Sequence, residues 1–438
     1  MRAAHVASVP VNASGTDAAR RAVEAVWRIE SPKLVAGLAR LVQDVGLAEE
    51  LAQDALVIAL EQWPTQGVPA NPASWLTATA KHRAVDLVRR RGRYADKLAE
   101  LGRELTGYES SETDEVVAAL DGHIEDDLLR LIFTACHPVL TTEARVAMTL
   151  RLLGGLSTVE IARALLVPEP TARQRISRAK RTLASNSVAV ELPPPAEMAD
   201  RLASVLEVIY LIFNEGYTAT AGDDWMRPAL AEEALRLGRV LAGVLPDQPE
   251  VHGLCALMEL QASRMRARTG PGGEPVLLLE QDRRQWDRLL IRRGLAALES
   301  AQRLGGAYLP YTLQAAIAAC HARAGSAEET DWAEMAAIYA VLARVSPSPV
   351  VELNRAVAVG MALGPEAGLR LVEPLRTERT LDGYPQLPAV RGDLLAKLGR
   401  HDEARAEFAR AAALTRNEAE RAVFLRRAGG DAYVEAHG

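Results

Sequence analysis

The 438-residue chain is poor in cysteine and in aromatic residues, and it has no long apolar run. Its three cysteines, Cys136, Cys255 and Cys320, are widely spaced, which excludes a disulfide framework or a zinc knuckle and suits a reducing cytoplasm. No run of about 18 apolar residues is present to span a bilayer. The N-terminus lacks the basic, apolar and small-residue order of a signal peptide. A cytoplasmic protein without a membrane partner is therefore expected. Alternating strand patterns of Val, Ile and Thr are essentially absent. What remains is ordinary: 49% apolar and 25% charged residues, which excludes a disordered or collagenous chain. The length suggests about three domains.

The 51 basic and 57 acidic residues give a net charge of -6, which on its face argues against nucleic acid. The distribution says otherwise. Residues 78–93 hold Lys81, Arg83, Arg89, Arg90, Arg91 and Arg93 against Asp86 alone, net +5. Residues 94–127 hold 11 acids and 2 bases, net -9, and residues 171–185 hold five bases and no acid. The first 185 residues sum to zero and the remainder carries the whole -6. Two basic blocks on a tether suit two phosphate-contacting elements, although two solvated helix faces would carry the same charges.

Nearly every segment reads as helix, so the class is all-α. Leu34, Leu38, Leu41 and Val42, then Leu51, Ala55 and Ile58, recur at helical spacing. Between Trp63 and Trp75 the prolines Pro64, Pro69 and Pro72 predict a loop. The acidic stretch 94–127 reads as a mobile linker, and Ser185-Asn186-Ser187 with Pro193-Pro194-Pro195 reads as a second one. Beyond them the chain reads as helical hairpins. Gly392, Ala404, Phe408 and Ala411, around Leu398-Gly399-Arg400, match a tetratricopeptide-like unit. Val350–Leu375, Gln314–Arg323 and Thr330–Val345 fit less well, so a degenerate helical-repeat array is expected, and such arrays usually offer a partner a concave surface.

The sharpest local pattern runs from Leu156 to Pro168. Ser157 and Glu160 form a capping box that starts a short helix, with Ile161, Ala162 and Leu165 facing inward. The chain turns at Leu166–Pro168 and enters a second helix displaying Thr171, Arg173, Gln174, Arg175, Arg178, Lys180 and Arg181. Ile176, Ala179 and Leu183 form that helix's buried stripe. This is helix-turn-helix geometry, which sets a recognition helix in the major groove. Arg173, Gln174 and Arg175 lie where base edges are read, and Arg178, Lys180 and Arg181 suit phosphates. Leu166 occupies a turn position where glycine is usual and fits only if its φ stays negative, and Pro168 stands where a capping Ser is common.

Ala48–Leu56, Trp75–Arg90 and residues 156–183 together resemble an extracytoplasmic-function (ECF) sigma factor of the sigma-70 family. The helical tail resembles the group of these factors with a tetratricopeptide-like C-terminal extension. The resemblance implies sigma region 2 at 17–93, an acidic linker at 94–127, region 4 at 128–185, a Pro-rich linker at 186–196 and a helical C-terminal domain at 197–438. It implies that Glu49, Glu50, Gln53 and Asp54 meet the core of bacterial RNA polymerase. Lys81, Arg83, Arg89, Arg90 and Arg91 would grip the single-stranded -10 element, while region 4 reads the duplex -35 element. The Trp63–Trp75 loop would capture an extruded base, with Trp75 itself a core residue.

A sigma factor makes and breaks no bonds, and no enzyme is expected. Cys136-His137 and Cys320-His321 read as core or surface residues, since neighbours along a helix point apart. Gly270–Pro275 lacks the Gly-Lys-Ser/Thr of a phosphate loop. No metal or cofactor is expected. Asn214-Glu215-Gly216-Tyr217, Gln281-Asp282-Arg283 with Trp286-Asp287, and Thr330-Asp331-Trp332 fit hairpin caps or a binding surface. The acidic tail is expected to dock on the sigma domains and to regulate them. The rival reading is a helix-turn-helix regulator on a helical scaffold, with no polymerase partnership.

Overall fold

The computed structural model describes residues 13–102, 124–219 and 225–429. Most of the expected linker, together with the side chain of Arg91, lies outside the described residues. Among the described residues there is no β-strand, only a bridge between Thr269 and Pro275. The chain forms two compact units, residues 1–208 and 209–438.

In the first unit α1 (Ala13–Val42) packs on α2 (Val45–Gln66), and α3 (Pro72–Gly102) packs on both. Leu34, Leu38, Leu51 and Ala55 are buried in this core, as their spacing predicts. Asp44 caps α2, its carboxylate accepting from the Leu47 N–H at 3.0 Å. Helix α2 runs through Pro64 and stops only at Gly67, whose φ of +86° requires glycine. The loop expected from Pro64 is correspondingly shorter. Pro64 removes a single helical hydrogen bond close to the helix end, where buried Trp63 holds the turn in place. Helix α3 opens with Pro72 in its first turn and continues into the acidic stretch as far as Gly102.

Four further helices follow: α4 (Ile124–Ala135), α5 (Thr142–Leu152), α6 (Thr158–Ala164) and α7 (Glu169–Ser185). The Ser157–Glu160 capping box forms in both directions. Ile161, Ala162, Ala172, Ile176, Ala179 and Leu183 close the small core between α6 and α7, and Leu165 is half-buried. Leu166 departs from expectation: its φ is +49°, so the turn does take the left-handed conformation that glycine adopts without strain. Pro168 is the N-cap of α7 and supplies no capping side chain.

The segment after α7 is packed against this unit. Val190 is buried, and its N–H donates to Gln43 Oε1 at 3.3 Å. Helix α8 (Met198–Tyr217) begins by covering the end of α4: Arg201 donates to the Phe133 carbonyl at 3.0 Å and Ser204 Oγ to that of Cys136 at 3.1 Å. Leu202, Val205, Leu206 and Val208 are buried there.

The second unit is built from consecutive packed helices: α9 (Pro228–Val244), α10 (Pro249–Ala262), α11 (Arg288–Arg303), α12 (Pro310–Arg323), α13 (Trp332–Val345), α14 (Pro349–Leu363), α15 (Pro365–Leu375), α16 (Gln386–Lys397), α17 (His401–Leu414) and α18 (Glu418–Gly429). The α16–α17 hairpin shows why small residues recur. A Cβ on Gly392 would sit 2.9 Å from Phe408, and Ala404 and Ala411 are buried beside it. The Asn214–Tyr217 motif is likewise a packing device. A Cβ on Gly216 would lie 2.3 Å from the Ala231 backbone nitrogen, so glycine lets α8 and α9 touch. Glu215 pairs with Arg227, and Tyr217 stacks on Phe213 with ring centroids 5.6 Å apart.

Candidate polymerase and nucleic-acid interface

Helix α2 carries the four residues expected to meet polymerase, and they differ in setting. Glu50 and Asp54 are exposed, Gln53 is half-buried and Glu49 is only 3% exposed. Glu49 is buried because α5 and α7 close over it. Arg151 of α5 donates from Nε to Glu49 Oε1 at 2.6 Å, and Gln53 donates to the same oxygen at 2.5 Å. Lys180 Nζ of α7 lies 2.8 Å from Glu49 Oε2, a charge contact whose angles fall short of a hydrogen bond. The Lys180 stem crosses the first turn of α2, its Cδ 3.6 Å from where a Cβ on Gly46 would stand.

A second buried carboxylate repeats the arrangement. Asp127 of α4 sits 2.8 Å from Arg40 Nε of α1 and 3.5 Å from Arg130. Buried carboxylates persist when cations and hydrogen bonds replace the lost water, and both are so provided. Sequence reading missed Arg40, Asp127 and Arg151 as partners. Their signal was a charged residue inside an apolar run, as Arg151 is between Leu150 and Leu152, but such a pattern does not name its mate.

The basic side of α3 is open. Arg83, Arg89 and Arg90 are exposed and Lys81 is half-buried. Arg83 donates to Asp54 at 2.7 Å, so the exposed acid of the polymerase set meets a base of the -10 set. Trp75 is half-buried and packs edge-on against Trp63, with centroids 5.5 Å apart and planes at 70°, which makes it part of the core wall.

On α7, Arg173, Gln174, Arg178 and Arg181 are exposed, and Thr171, Arg175 and Lys180 are half-buried. Arg173 pairs with Glu169 one turn earlier. The set shares the outer face of the helix, opposite Ala172, Ile176, Ala179 and Leu183, with Lys180 at the edge facing α2.

The thiols are chemically quiet. Burial pushes Cys136 up to about 11 and Cys255 and Cys320 up to about 12. Cys136 shares a hydrogen bond with Thr149 at 3.4 Å. Burial, with Arg264 and Arg283 close by, pushes His321 down to about 3, and its ring packs edge-on against Trp332. Arg283 ties the end of α12 to Thr330, donating to the His321 and Ala324 carbonyls and at 2.8 Å to Thr330 Oγ1. The Gln281–Asp287 and Thr330–Trp332 motifs are accounted for as caps of this kind, with Asp287 and Asp331 capping α11 and α13. Among the described residues no group of three or more His, Cys, Asp or Glu side chains is placed to hold a metal, and no helix is long and apolar enough to cross a membrane.

Known families fit this layout. Residues 27–94 match the model of sigma-70 region 2, and residues 130–183 match sigma-70 region 4. Residues 201–302 match a family of unknown function, DUF6596. An uncharacterized protein of Rhizobium meliloti, R00370, is 45% identical over 392 residues, covering 89% of this chain and 91% of the relative. The ECF RNA polymerase sigma factor SigL of Mycobacterium tuberculosis is 32% identical over 145 residues, 33% of this chain and 76% of that one. The ECF sigma factor SigC of the same species is 28% identical over 152 residues, 33% and 72%. No solved structure matches. With both region models matched in order and SigL 32% identical over 76% of its length, the chain belongs to the extracytoplasmic-function sigma factors of the sigma-70 family and carries a long helical C-terminal extension.

Proposed function

We propose that this sigma factor is held closed when free, its polymerase-binding helix engaged by its own DNA-binding elements, and that core polymerase opens it. The observation that carries the reading is Glu49, buried under Arg151 and Lys180. Asp54 with Arg83 is a weaker, exposed instance of the same exchange. In the open state Glu49, Glu50, Gln53 and Asp54 bind core. Lys81, Arg83, Arg89, Arg90 and Arg91 hold the -10 strand. Arg173, Gln174 and Arg175 read -35 base edges, and Arg178, Lys180 and Arg181 bind its phosphates. Lys180 reaches phosphate only after releasing Glu49.

The test is Arg151→Gln, which lies outside both proposed contact sets. Its expected result is tighter core binding, up to about tenfold if about 1.4 kcal/mol of closure is lost, with a larger radius by small-angle scattering. Unchanged affinity and radius would sink the closed reading. Specific initiation with purified core is expected; promoter binding without initiation would favour the helix-turn-helix regulator instead.

The C-terminal unit is proposed to regulate these steps, in place of a separate inhibitor. Truncation after residue 196 also strips α8 from Phe133 and Cys136, so its effects mix region-4 exposure with loss of the tail. A second truncation after Val208 keeps the first unit whole. If transcription and core binding match the full chain in that second variant, the tail is not the regulator.

A further inference from the structure

Many arginines in the C-terminal unit are neutralised by a carboxylate close at hand. Arg236 pairs with Glu233, Arg239 with Glu259, Arg355 with Glu352, Arg376 with Glu373, Arg391 with Glu407 and Arg400 with Glu403. Helix α11 instead gathers three arginines without one in its first two turns. Arg288, Arg292 and Arg293 are exposed and have no carboxylate partner among the described residues. Residues 283–293 contain five arginines and one aspartate, net +4, in a unit whose net charge is -3.

The placement of Arg288 is unfavourable for the helix itself. Arg288 is the first residue of α11, where the positive end of the helix dipole disfavours a cation, and Arg292 and Arg293 follow in its second turn. No acid stands in the first turn, and the N-cap Asp287 is occupied with the Leu289 and Leu290 N–H groups. The buried stripe is Ile291, Gly294, Leu298 and Ala301, so helix packing uses the opposite side and leaves the arginines free of structural duty. Arg288 and Arg292 are one turn apart, about 6 Å along the axis, which lets two long guanidinium stems reach neighbouring phosphates of one strand.

We propose that this arginine face binds the phosphate backbone of duplex promoter DNA on the upstream side of the -35 element. The C-terminal unit follows region 4 directly in the chain, so its tether raises the local concentration of that DNA once region 4 is bound. Guanidinium to phosphate is sequence-independent, so the contact adds affinity without adding to the promoter code. The inference rests on region 4 reading the -35 element.

The experiment compares holoenzymes carrying the wild-type chain or Arg288→Gln/Arg292→Gln/Arg293→Gln. Promoter fragments end just upstream of the -35 element or extend about 20 base pairs further. The short fragment reports the region 4 reading, and the difference between fragments reports this one. On the long fragment the variant is expected to bind about tenfold more weakly, with a salt slope shallower by about 2–3, and on the short one like the wild type. An Arg→Lys triple variant should retain most of the effect. Equal binding of the long fragment, or an equal loss on both fragments, overturns the proposal. So does weaker core binding in the absence of DNA, which would make polymerase the partner.

Discussion

Lys180 of α7 lies 2.8 Å from Glu49 of α2, and the Glu49 carboxylate, held between Lys180 and Arg151, is almost completely buried. Two residues that sequence reasoning assigns to different macromolecular partners are each other's partner in the free chain. Taking Glu49 away leaves Arg151 and Lys180 facing one another without compensation. Glu49→Ala is therefore expected to destabilise the first unit by about 3 kcal/mol, read as a shift in the urea midpoint. Lys180→Met should cost less, because Arg151 and Gln53 still satisfy the carboxylate. Equal costs would mean that Arg151 does not hold Glu49 as described.

The turn between α6 and α7 stores strain at Leu166, whose φ is +49° and whose side chain is about half exposed. Leu166→Gly removes the left-handed penalty and loses little burial. A gain of about 1 kcal/mol is expected in thermal or urea unfolding. Leu166→Val should move the other way, since β-branching suits that conformation least.

Gly216 sits where α8 and α9 meet backbone to backbone. A Cβ there has no flexible side chain to displace, because the nearest atoms are the Ala231 nitrogen and Cα, at 2.3 and 2.8 Å. Gly216→Ala is expected to cost about 2 kcal/mol or more by overpacking, despite alanine's better helix propensity. Gly243→Ala, with nothing within 4 Å, is the control and should be neutral or stabilising.

His321 makes the C-terminal unit acid-sensitive. Its folded value of about 3 lies below the ordinary value, so the unfolded chain binds the proton first as pH falls. The neutral ring's contribution is complete above about pH 6.5 and declines towards pH 3, at up to about 1.4 kcal/mol per pH unit. Unfolding midpoints followed by tryptophan fluorescence at pH 7 and pH 5 should separate, and His321→Phe should narrow the gap.

Much of this was legible in the chain. The Ser157–Glu160 capping box, the Ile176, Ala179 and Leu183 stripe and the Gly392–Phe408 contact are local or follow helical periodicity, so spacing alone predicts them. The exposed face of α7 was legible for the same reason. The extent of α2 past Pro64 and the sign of the Leu166 φ were not, because local preference is overridden there by burial of Trp63 and of Ile161 and Ile176 on either side of the turn.

Sequence by itself determined the all-α class, the two basic blocks and the membership in a sigma family, since periodicity, charge and motif spacing are properties of the chain. Only the tertiary structure decided which charges remain available. Glu49 and Arg151 are 102 residues apart in sequence, and no local rule pairs them. Burial strengthens such a pair by excluding water, whereas Arg288, Arg292 and Arg293 look no different in sequence from arginines that fold onto a carboxylate. Which charges stand free and which are neutralised is therefore decided by the fold, because only the fold brings distant carboxylates and guanidinium groups together.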